Sequence, residues 1–307
     1  MELHSELFGR FRLVRGIQSF HPFVLLVYYV LIIIGLMLYQ HPLFLLGALF
    51  LIGTFNYILD KGRELKKWSF MIGMMITFII LLTPIFNRRG DQILFHFFEQ
   101  PIMLEAVIQG IMIASTLAGI LAIFVTFNIV LTPDKLLYLF SKVLPQWALL
   151  TMLSMRFVPL LIRKVKEMMS IQQVKGLSFN QGSVHKRAKN GMQIMQMLLT
   201  NALEDSIQAA DSMSARGYGL QKRSNYNAFK MKSKDWLTLG SLMGSSIILL
   251  FGWAKGYGVL QLGPVLETIM LSGSEYIYFM TWLFLIGFPI LTEGKEVIHW
   301  KYYQWKM

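Results

Sequence analysis

The chain has 307 residues, of which 55% are hydrophobic and only 15% are charged, and its mean hydropathy is +0.51. This composition excludes an ordinary soluble domain and is typical of a polytopic membrane protein. The formal net charge is +12, which in a membrane protein indicates basic cytoplasmic loops rather than a nucleic-acid partner. The chain contains no Cys, so a disulfide framework and thiolate chemistry are excluded.

Six apolar spans are predicted, since a bilayer core takes about 20 apolar residues per helix. The dipeptides His21-Pro22 and His41-Pro42 mark the starts of the first two spans, because proline suits the first turn of a helix. Residues 147–162 form the one ambiguous stretch. In chain order the predicted spans are 23–39, 43–59, 70–86, 103–131, 237–254 and 276–291.

Basic residues predict the orientation of the chain. Residues 1–20 are polar and basic and lack a small-residue cleavage site, so we expect a retained anchor rather than a cleaved signal peptide. Lys and Arg are also concentrated in the loop 61–67, the segment 133–235 and the tail 295–306. The positive-inside rule then places both termini and the long segment in the cytoplasm.

The long basic segment divides the chain into three regions. It is too polar to lie wholly in lipid and too strongly patterned to be disordered, so we predict transmembrane helices in 1–131, a cytoplasmic helical domain in 132–235, and transmembrane helices with a tail in 236–307. The predicted fold class is an all-α polytopic membrane protein with about six transmembrane helices and a cytoplasmic insert of crossed amphipathic helices.

The first part of the insert, residues 134–162, is apolar with sparse charge and is interrupted by Pro145 and Pro159. This pattern predicts either a re-entrant pair or helices that lie along the membrane face. An amphipathic helix follows, because apolar residues from Val158 to Met169 recur at i, i+3, i+4 and i+7.

A second amphipathic helix is predicted over 191–214. Apolar or small residues recur along it at spacings that alternate between three and four residues, which forms a heptad-like row. The side chains in the middle of this row are small, which allows another helix to cross at short range. Glu204 and Asp205 are expected to pair with basic residues of the insert. The predicted crossing residues are Ala202, Ser206 and Ala209.

Both predicted helices end in a cation followed by Gly. Helix termination alone explains each motif, since a cation in the last turn stabilises a helix by about 0.3–1 kcal/mol and Gly adopts the left-handed stop at little cost. Two similar cationic ends on one side of the membrane also suit docking onto a pair of similar partner subunits. The first motif (174–176) is Val174, Lys175 and Gly176, and the second motif (215–217) is Ala215, Arg216 and Gly217.

The sequence lacks the motifs of an enzyme with its own energy source. It has no GxxxxGK[ST] loop for nucleotide hydrolysis, no HExxH or GxSxG motif, and six scattered His, so we expect neither a metal site nor a cofactor. The spans contain no central ionisable residue, which argues against proton- or sodium-driven transport. Asn56 and Asn128 are their most polar side chains and are predicted to form interhelical hydrogen bonds.

Four stretches resemble the transmembrane T component of energy-coupling factor (ECF) importers, the EcfT/CbiQ-like family. The resemblance implies a prokaryotic membrane subunit that links two cytoplasmic ABC-type ATPases to a membrane S component, which binds a vitamin or a transition-metal ion. It implies that 132–235 is the coupling domain and that 134–162 carries the S component. The stretches are TPIFNRRGDQILF (83–95), LTPDKLLYLFSKVLP (131–145), MRFVPLLIRKVKEM (155–168) and LEDSIQAADSMSARGYG (203–219).

The resemblance also assigns a role to the two motifs: in the family, Ala-Arg-Gly-like motifs each insert an Arg into a groove of one ATPase. The second motif matches intact, so Arg216 is the expected ATPase contact. In the first motif Val174 and Lys175 replace Ala and Arg. Lys keeps the charge but lacks the planar fork of Arg, so the two ATPase contacts are expected to be unequal.

Two other interpretations stay open at this point. A permease of an ordinary ABC importer would carry an E-A-A-x-x-x-G loop, which the chain lacks. The other alternative is a membrane-anchored docking protein with no transport role. Accumulation of substrate in cells that depends on this chain and on ATP would separate the ECF interpretation from the docking protein.

Overall fold

The structure is a computed structural model that describes residues 15–87, 93–97, 100–174, 183–220, 229–260, 270–271 and 273–306. These residues form ten helices and one two-stranded sheet. The helices are α1 (Arg15–Gln18), α2 (Pro22–Leu38), α3 (Pro42–Asp60), α4 (Arg63–Phe86), α5 (Leu104–Val130), α6 (Pro133–Val143), α7 (Pro145–Val174), α8 (Val184–Ala215), α9 (Ser233–Ala254) and α10 (Glu275–Lys306), and the strands are β1 (Ile93–Phe97) and β2 (Gln100–Met103).

The chain is an all-α polytopic membrane protein. Among the described residues, five helical stretches are long and apolar enough to cross a bilayer: α3, α4, α5, α9 and Glu275–Gly294 of α10. The apolar helix α2 has 17 residues and is therefore about 25 Å long, close to the lower limit for a span. All six predicted spans lie on these helices.

The predicted starts of the first two spans are confirmed. Pro22 and Pro42 are the first residues of α2 and α3. The ring nitrogens Nδ1 of His21 and His41 accept hydrogen bonds from the backbone N–H groups of residues 23 and 43, at 3.2 and 3.3 Å. Each His therefore caps one of the N–H groups that a helix start leaves without an intrahelical partner.

A short hairpin that the sequence did not predict lies between α4 and α5. Strands β1 and β2 pair antiparallel, with Ile93 opposite Met103 and Phe97 opposite Gln100. The run ILFHF is rich in β-branched and aromatic residues and too short to show a helical period. As a result, the fourth span begins after the hairpin, at Leu104.

An aromatic cluster holds α2, α3 and α10 together. The ring of Trp282 stacks on Tyr39 with 5.7 Å between ring centroids, and Tyr39 stacks on Phe44 at 5.0 Å. Trp282 Nε1 donates to the carbonyl oxygen of Phe44 at 3.3 Å. Gly35 lets α2 approach this ring, because a Cβ there would lie 2.2 Å from Trp282 Cζ3.

The two predicted polar contacts within the spans differ in outcome. Asn56 Nδ2 donates to the carbonyl oxygen of Ala122 at 3.0 Å, so it joins α3 to α5 as predicted. Asn128 instead donates to Phe124 O of its own helix at 3.1 Å, and its side chain is exposed. Because the hydrogen bond of Asn128 stays within α5, the prediction of an interhelical contact was wrong for this residue.

The chain separates into two compact units. The bundle unit comprises Met1–Lys135 and Phe229–Met307, and contains the apolar helices described above. The insert unit comprises Leu136–Ala228 and contains α7, α8 and most of α6.

The contact between Gly35 and Trp282 yields a stability test. We expect Gly35→Ala to lower the apparent thermal midpoint of the detergent-solubilised chain, because overpacking a filled core costs about 1–3 kcal/mol. Tryptophan fluorescence during heating provides the measurement. Gly53→Ala is the matched control, since it lies in α3 with no atom within 4 Å of the added Cβ. Equal midpoints for the two variants would contradict the packing described here.

Candidate functional site

Helix α7 is one continuous helix of 30 residues from Pro145 to Val174. The predicted interruption at Pro145 coincides with the helix start, but the predicted interruption at Pro159 was wrong. A proline removes one backbone hydrogen bond and crowds the preceding turn, yet a helix this long keeps its other hydrogen bonds on both sides. The ambiguous stretch 147–162 is therefore part of a single helix.

Helices α7 and α8 contact each other in antiparallel orientation. Lys164 Nζ forms an ion pair with Asp205 Oδ2, and Gln172 Nε2 donates to the sulfur of Met197 at 3.5 Å. As the residue number rises along α7, the number of the contacted residue falls along α8, which requires opposite directions. The expectation that Asp205 pairs with a basic residue of the insert is confirmed.

The predicted crossing residues have different surroundings in the structure. Ala202 lies between Met197 and Asp205 and is half-buried, as is Ala209. Ser206 is exposed, and its hydroxyl donates to Ala202 O of its own helix at 2.6 Å. Burial alone does not establish a crossing at these three residues, so that assignment stays a prediction.

Helix α8 is longer than predicted and starts at Val184 rather than at residue 191. Its exposed side carries an apolar stripe whose side chains are 55–70% exposed. At 100° per residue these positions fall on one third of the helix surface. Exposed apolar surface of this kind is typical of a contact site for protein or membrane. The stripe consists of Met192, Met195, Leu199, Leu203 and Ile207.

The second motif ends α8 in a defined turn. Gly217 has φ +79°, in the left-handed region that favours glycine. The N–H of Gly217 donates to Ser214 O at 2.9 Å, and the N–H of Tyr218 donates to Met213 O at 3.0 Å. These two hydrogen bonds form the Schellman motif, which satisfies carbonyl groups at a helix end.

The same turn positions Arg216. This residue directly follows the last helical residue, Ala215, and both side chains are exposed. Across the part of the chain that the structure describes, the Arg216 guanidinium has no ion pair or side-chain hydrogen bond. The turn thus presents a cation on an ordered helix end, where its charge also interacts well with the helix dipole.

Only one residue of the first motif can be compared with the second. Val174 is the last residue of α7 and is 90% exposed. Lys175 and Gly176 lie outside the described residues. Their equivalence to Arg216 and Gly217 stays a prediction.

No group of three or more His, Cys, Asp or Glu side chains that can hold a metal ion occurs in the described ranges. The candidate site described above consists of helix ends and exposed apolar surface, which can bind another protein.

The antiparallel contact yields a cross-linking test. The chain has no Cys, so introduced cysteines can be labelled specifically. We expect a short bismaleimide to cross-link the double variant Gln172→Cys and Met197→Cys. The measurement is the fraction cross-linked on a denaturing gel after protease cleavage between the helices. The control pair is Gln172→Cys with Ser212→Cys, which lies about 22 Å further along α8. Equal yields for the two pairs would contradict this register.

Comparison with known proteins identifies the family. Residues 15–226, more than half of the chain, match the CbiQ family, described as a cobalt transport protein. The energy-coupling factor transporter transmembrane protein EcfT of Bacillus selenitireducens is 30% identical over 193 residues, which cover 58% of this chain and 70% of that protein. EcfT of Bacillus subtilis is 28% identical over 218 residues, covering 67% of this chain and 82% of the relative. EcfT of Staphylococcus aureus is 22% identical over 201 residues, covering 61% and 75%. The chain therefore belongs to the CbiQ family, as an EcfT-like transmembrane T component of energy-coupling factor transporters.

Proposed function

We propose that this T component links two cytoplasmic ABC-type ATPases to a substrate-binding S component and so couples ATP hydrolysis to the uptake of a vitamin or a transition-metal ion. One observation carries the proposal: an ordered left-handed turn at Gly217 presents the exposed cation of Arg216 at the end of a long helix. The nucleotide is hydrolysed by the partner ATPases, and this chain transmits the resulting motion.

The chemistry of Arg216 supports its assignment to an ATPase groove. A guanidinium has a planar fork of donors that fits a carboxylate or a row of carbonyl oxygens, and it is more weakly hydrated than an ammonium. Because the turn at Gly217 orders the backbone, less conformational entropy is lost when Arg216 enters a groove. Lys175 is proposed to occupy the second ATPase, through a weaker contact that lacks the fork.

The antiparallel contact of α7 and α8 supports a role in transmission. The ion pair of Lys164 with Asp205 and the contact of Gln172 with Met197 connect the two helices over more than two turns. A displacement at the end of either helix therefore moves the other helix as well. The small residues Ala202, Ser206 and Ala209 are proposed to let the helices approach at their crossing.

The seat of the S component is proposed on the apolar face of 134–162. Trp147, Leu150 and Val158 are each more than half exposed on α7. Motion of α7 would tilt an S component held on this surface and so expose or release its substrate. Exposed methionines such as Met152 and Met155 make such a surface adaptable.

The proposal includes the division of the chain and its orientation. Residues 132–235 form the cytoplasmic coupling domain between the transmembrane regions 1–131 and 236–307. Both termini lie in the cytoplasm, because the loop 61–67 and the insert carry dense Lys and Arg. The lipid bilayer surrounds the apolar helices, and no nucleic acid or cofactor is involved.

Removal of the Arg216 side chain tests the docking site. We expect Arg216→Ala to weaken ATPase binding by about 2–5 kcal/mol, because it leaves a buried partner group unpaired. The measurement is the amount of ATPase that co-purifies with the detergent-solubilised chain as salt and detergent are varied. Arg187→Ala is the matched control, since Arg187 is an exposed residue in the first turn of the same helix. Unchanged recovery with Arg216→Ala would mean that the second motif is only a helix stop.

A second variant separates the turn from the charge. We expect Gly217→Ala to keep Arg216 but to strain the left-handed turn by about 1 kcal/mol, which lowers ATPase affinity about fivefold. Titration of the ATPases onto immobilised chain measures this change. Gly191→Ala, on α8 with no atom near the added Cβ, should leave the affinity unchanged. Equal affinities for both variants would show that docking does not depend on the turn.

A further inference from the structure

Three buried charged side chains from three different helices hold one short segment near the amino terminus. This segment, residues 16–21, runs from α1 to the start of α2 and is called the junction segment. All of its contacts described here lie within the bundle unit. Glu293 of α10 accepts from Ile17 N at 2.9 Å, Lys135 of α6 donates to Gln18 O at 3.1 Å, and Asp235 of α9 accepts from His21 N at 3.0 Å.

Two of these side chains mark the two ends of the insert. Lys135 is the last bundle residue before the chain enters the insert unit, and Asp235 lies at the start of α9, shortly after the chain returns. Lys135 also donates to Val130 O at 3.2 Å, and Asp235 accepts from Lys232 N at 2.8 Å. Each end is thus bonded both to its local backbone and to the junction segment.

Helix capping alone does not account for these contacts. The bonds of Lys135 to Val130 and of Asp235 to Lys232 are local caps, which lone surface residues also provide. The bonds to the junction segment instead reach 117 and 214 residues along the chain. Lys135 is 8% exposed, and burial lowers the pKa of its ammonium group. A buried cation is costly unless its hydrogen bonds are satisfied, and Lys135 meets this requirement through the carbonyl oxygens of Gln18 and Val130.

The junction segment also leads directly into the bundle. Pro22, the first residue of α2, follows it in the chain. Glu293 joins its other end to α10, because the Oε1 atom of Glu293 receives the N–H of Ile17. A displacement of Lys135 or Asp235 therefore either breaks these hydrogen bonds or moves the start of α2 and the contact with α10.

We propose that the junction segment, held by Lys135, Asp235 and Glu293, is the point at which displacement of both ends of the insert passes into the transmembrane bundle. This inference rests on the proposed coupling function and adds the residues through which the motion leaves the coupling domain. Lys135 and Asp235 are positioning residues, because they act through the backbone of 16–21 rather than on ATP or substrate.

The test uses the complete complex of this chain with its ATPases and S component in proteoliposomes that contain MgATP. The probe is whichever member of a panel of tritiated B vitamins and radioactive cobalt and nickel ions the wild-type complex accumulates. For Lys135→Met we expect unchanged ATPase co-purification and hydrolysis, but about tenfold less substrate accumulated per ATP hydrolysed, because the charged hydrogen bond to 16–21 is lost. Lys135→Arg should restore the ratio of substrate accumulated to ATP hydrolysed, since Arg retains charged hydrogen-bond donors.

Matched variants separate coupling from stability. Lys234→Met makes the same change at an exposed residue of α9 and should leave the ratio at the wild-type value. Gly16→Ala alters no charge, but its Cβ would lie 3.0 Å from Glu293 Cδ, so it should displace the carboxylate and lower the ratio in the same direction. This variant keeps the test decisive if Lys135→Met does not assemble.

The outcomes distinguish the two proposals. Wild-type ratios in Lys135→Met or in Gly16→Ala would overturn the junction and leave the docking proposal intact. A parallel loss of ATPase binding, hydrolysis and uptake in Gly16→Ala would indicate a merely structural role and also overturn it. Failure of the wild-type chain to bind ATPases or to accumulate any probe would overturn the proposed function and the junction with it.

Discussion

A bilayer offers no water to the backbone, so a chain that crosses it must satisfy its N–H and C=O groups internally. The architecture of the bundle unit follows from that constraint. The apolar spans are helices, Pro22 and Pro42 stand in the first turns of α2 and α3, where a missing N–H costs little, and His21 and His41 cap N–H groups that these helix starts leave unpaired. Within the spans, Asn56 bonds to carbonyl oxygens on two helices.

Buried charge in the bundle unit is subject to the same constraint. Lys135, Asp235 and Glu293 are buried, and each contacts backbone groups of the segment 16–21. A charged group in such surroundings is stable only where its hydrogen bonds are well satisfied. Through these hydrogen bonds, the segment 16–21 is joined to α10 and to both ends of the insert.

The insert unit differs from the bundle unit in the exposure of its charged side chains. Its one described ion pair is about a third exposed, so it contributes little stability and mainly sets the register of α7 and α8. Much of the apolar surface of both helices is exposed. Exposed apolar surface of this kind is typical of a contact site for protein or membrane, which fits the proposed roles of α7 and of the turn at Gly217.

Local patterns in the sequence determined much of this protein. Length and hydropathy predicted the spans, since a helix in lipid needs only a continuous apolar run. The pairs His21-Pro22 and His41-Pro42 predicted two helix starts, and the order Arg216-Gly217 predicted the stop of α8. Motifs in 83–219 were sufficient to place the chain in its family.

Only the tertiary structure decided the rest. The hairpin of β1 and β2 is stabilised by cross-strand pairing, and the passage of α7 through Pro159 depends on the whole helix. The heptad-like row predicted over 191–214 includes Met192, Met195 and Leu199, and these three side chains are exposed, so the row did not predict the buried side of this part of α8. The partners of Lys135, Asp235 and Glu293 in the segment 16–21 are more than a hundred residues distant in sequence. Periodicity reports which face of a helix is apolar, whereas the group that meets a buried charge is determined by how the helices pack.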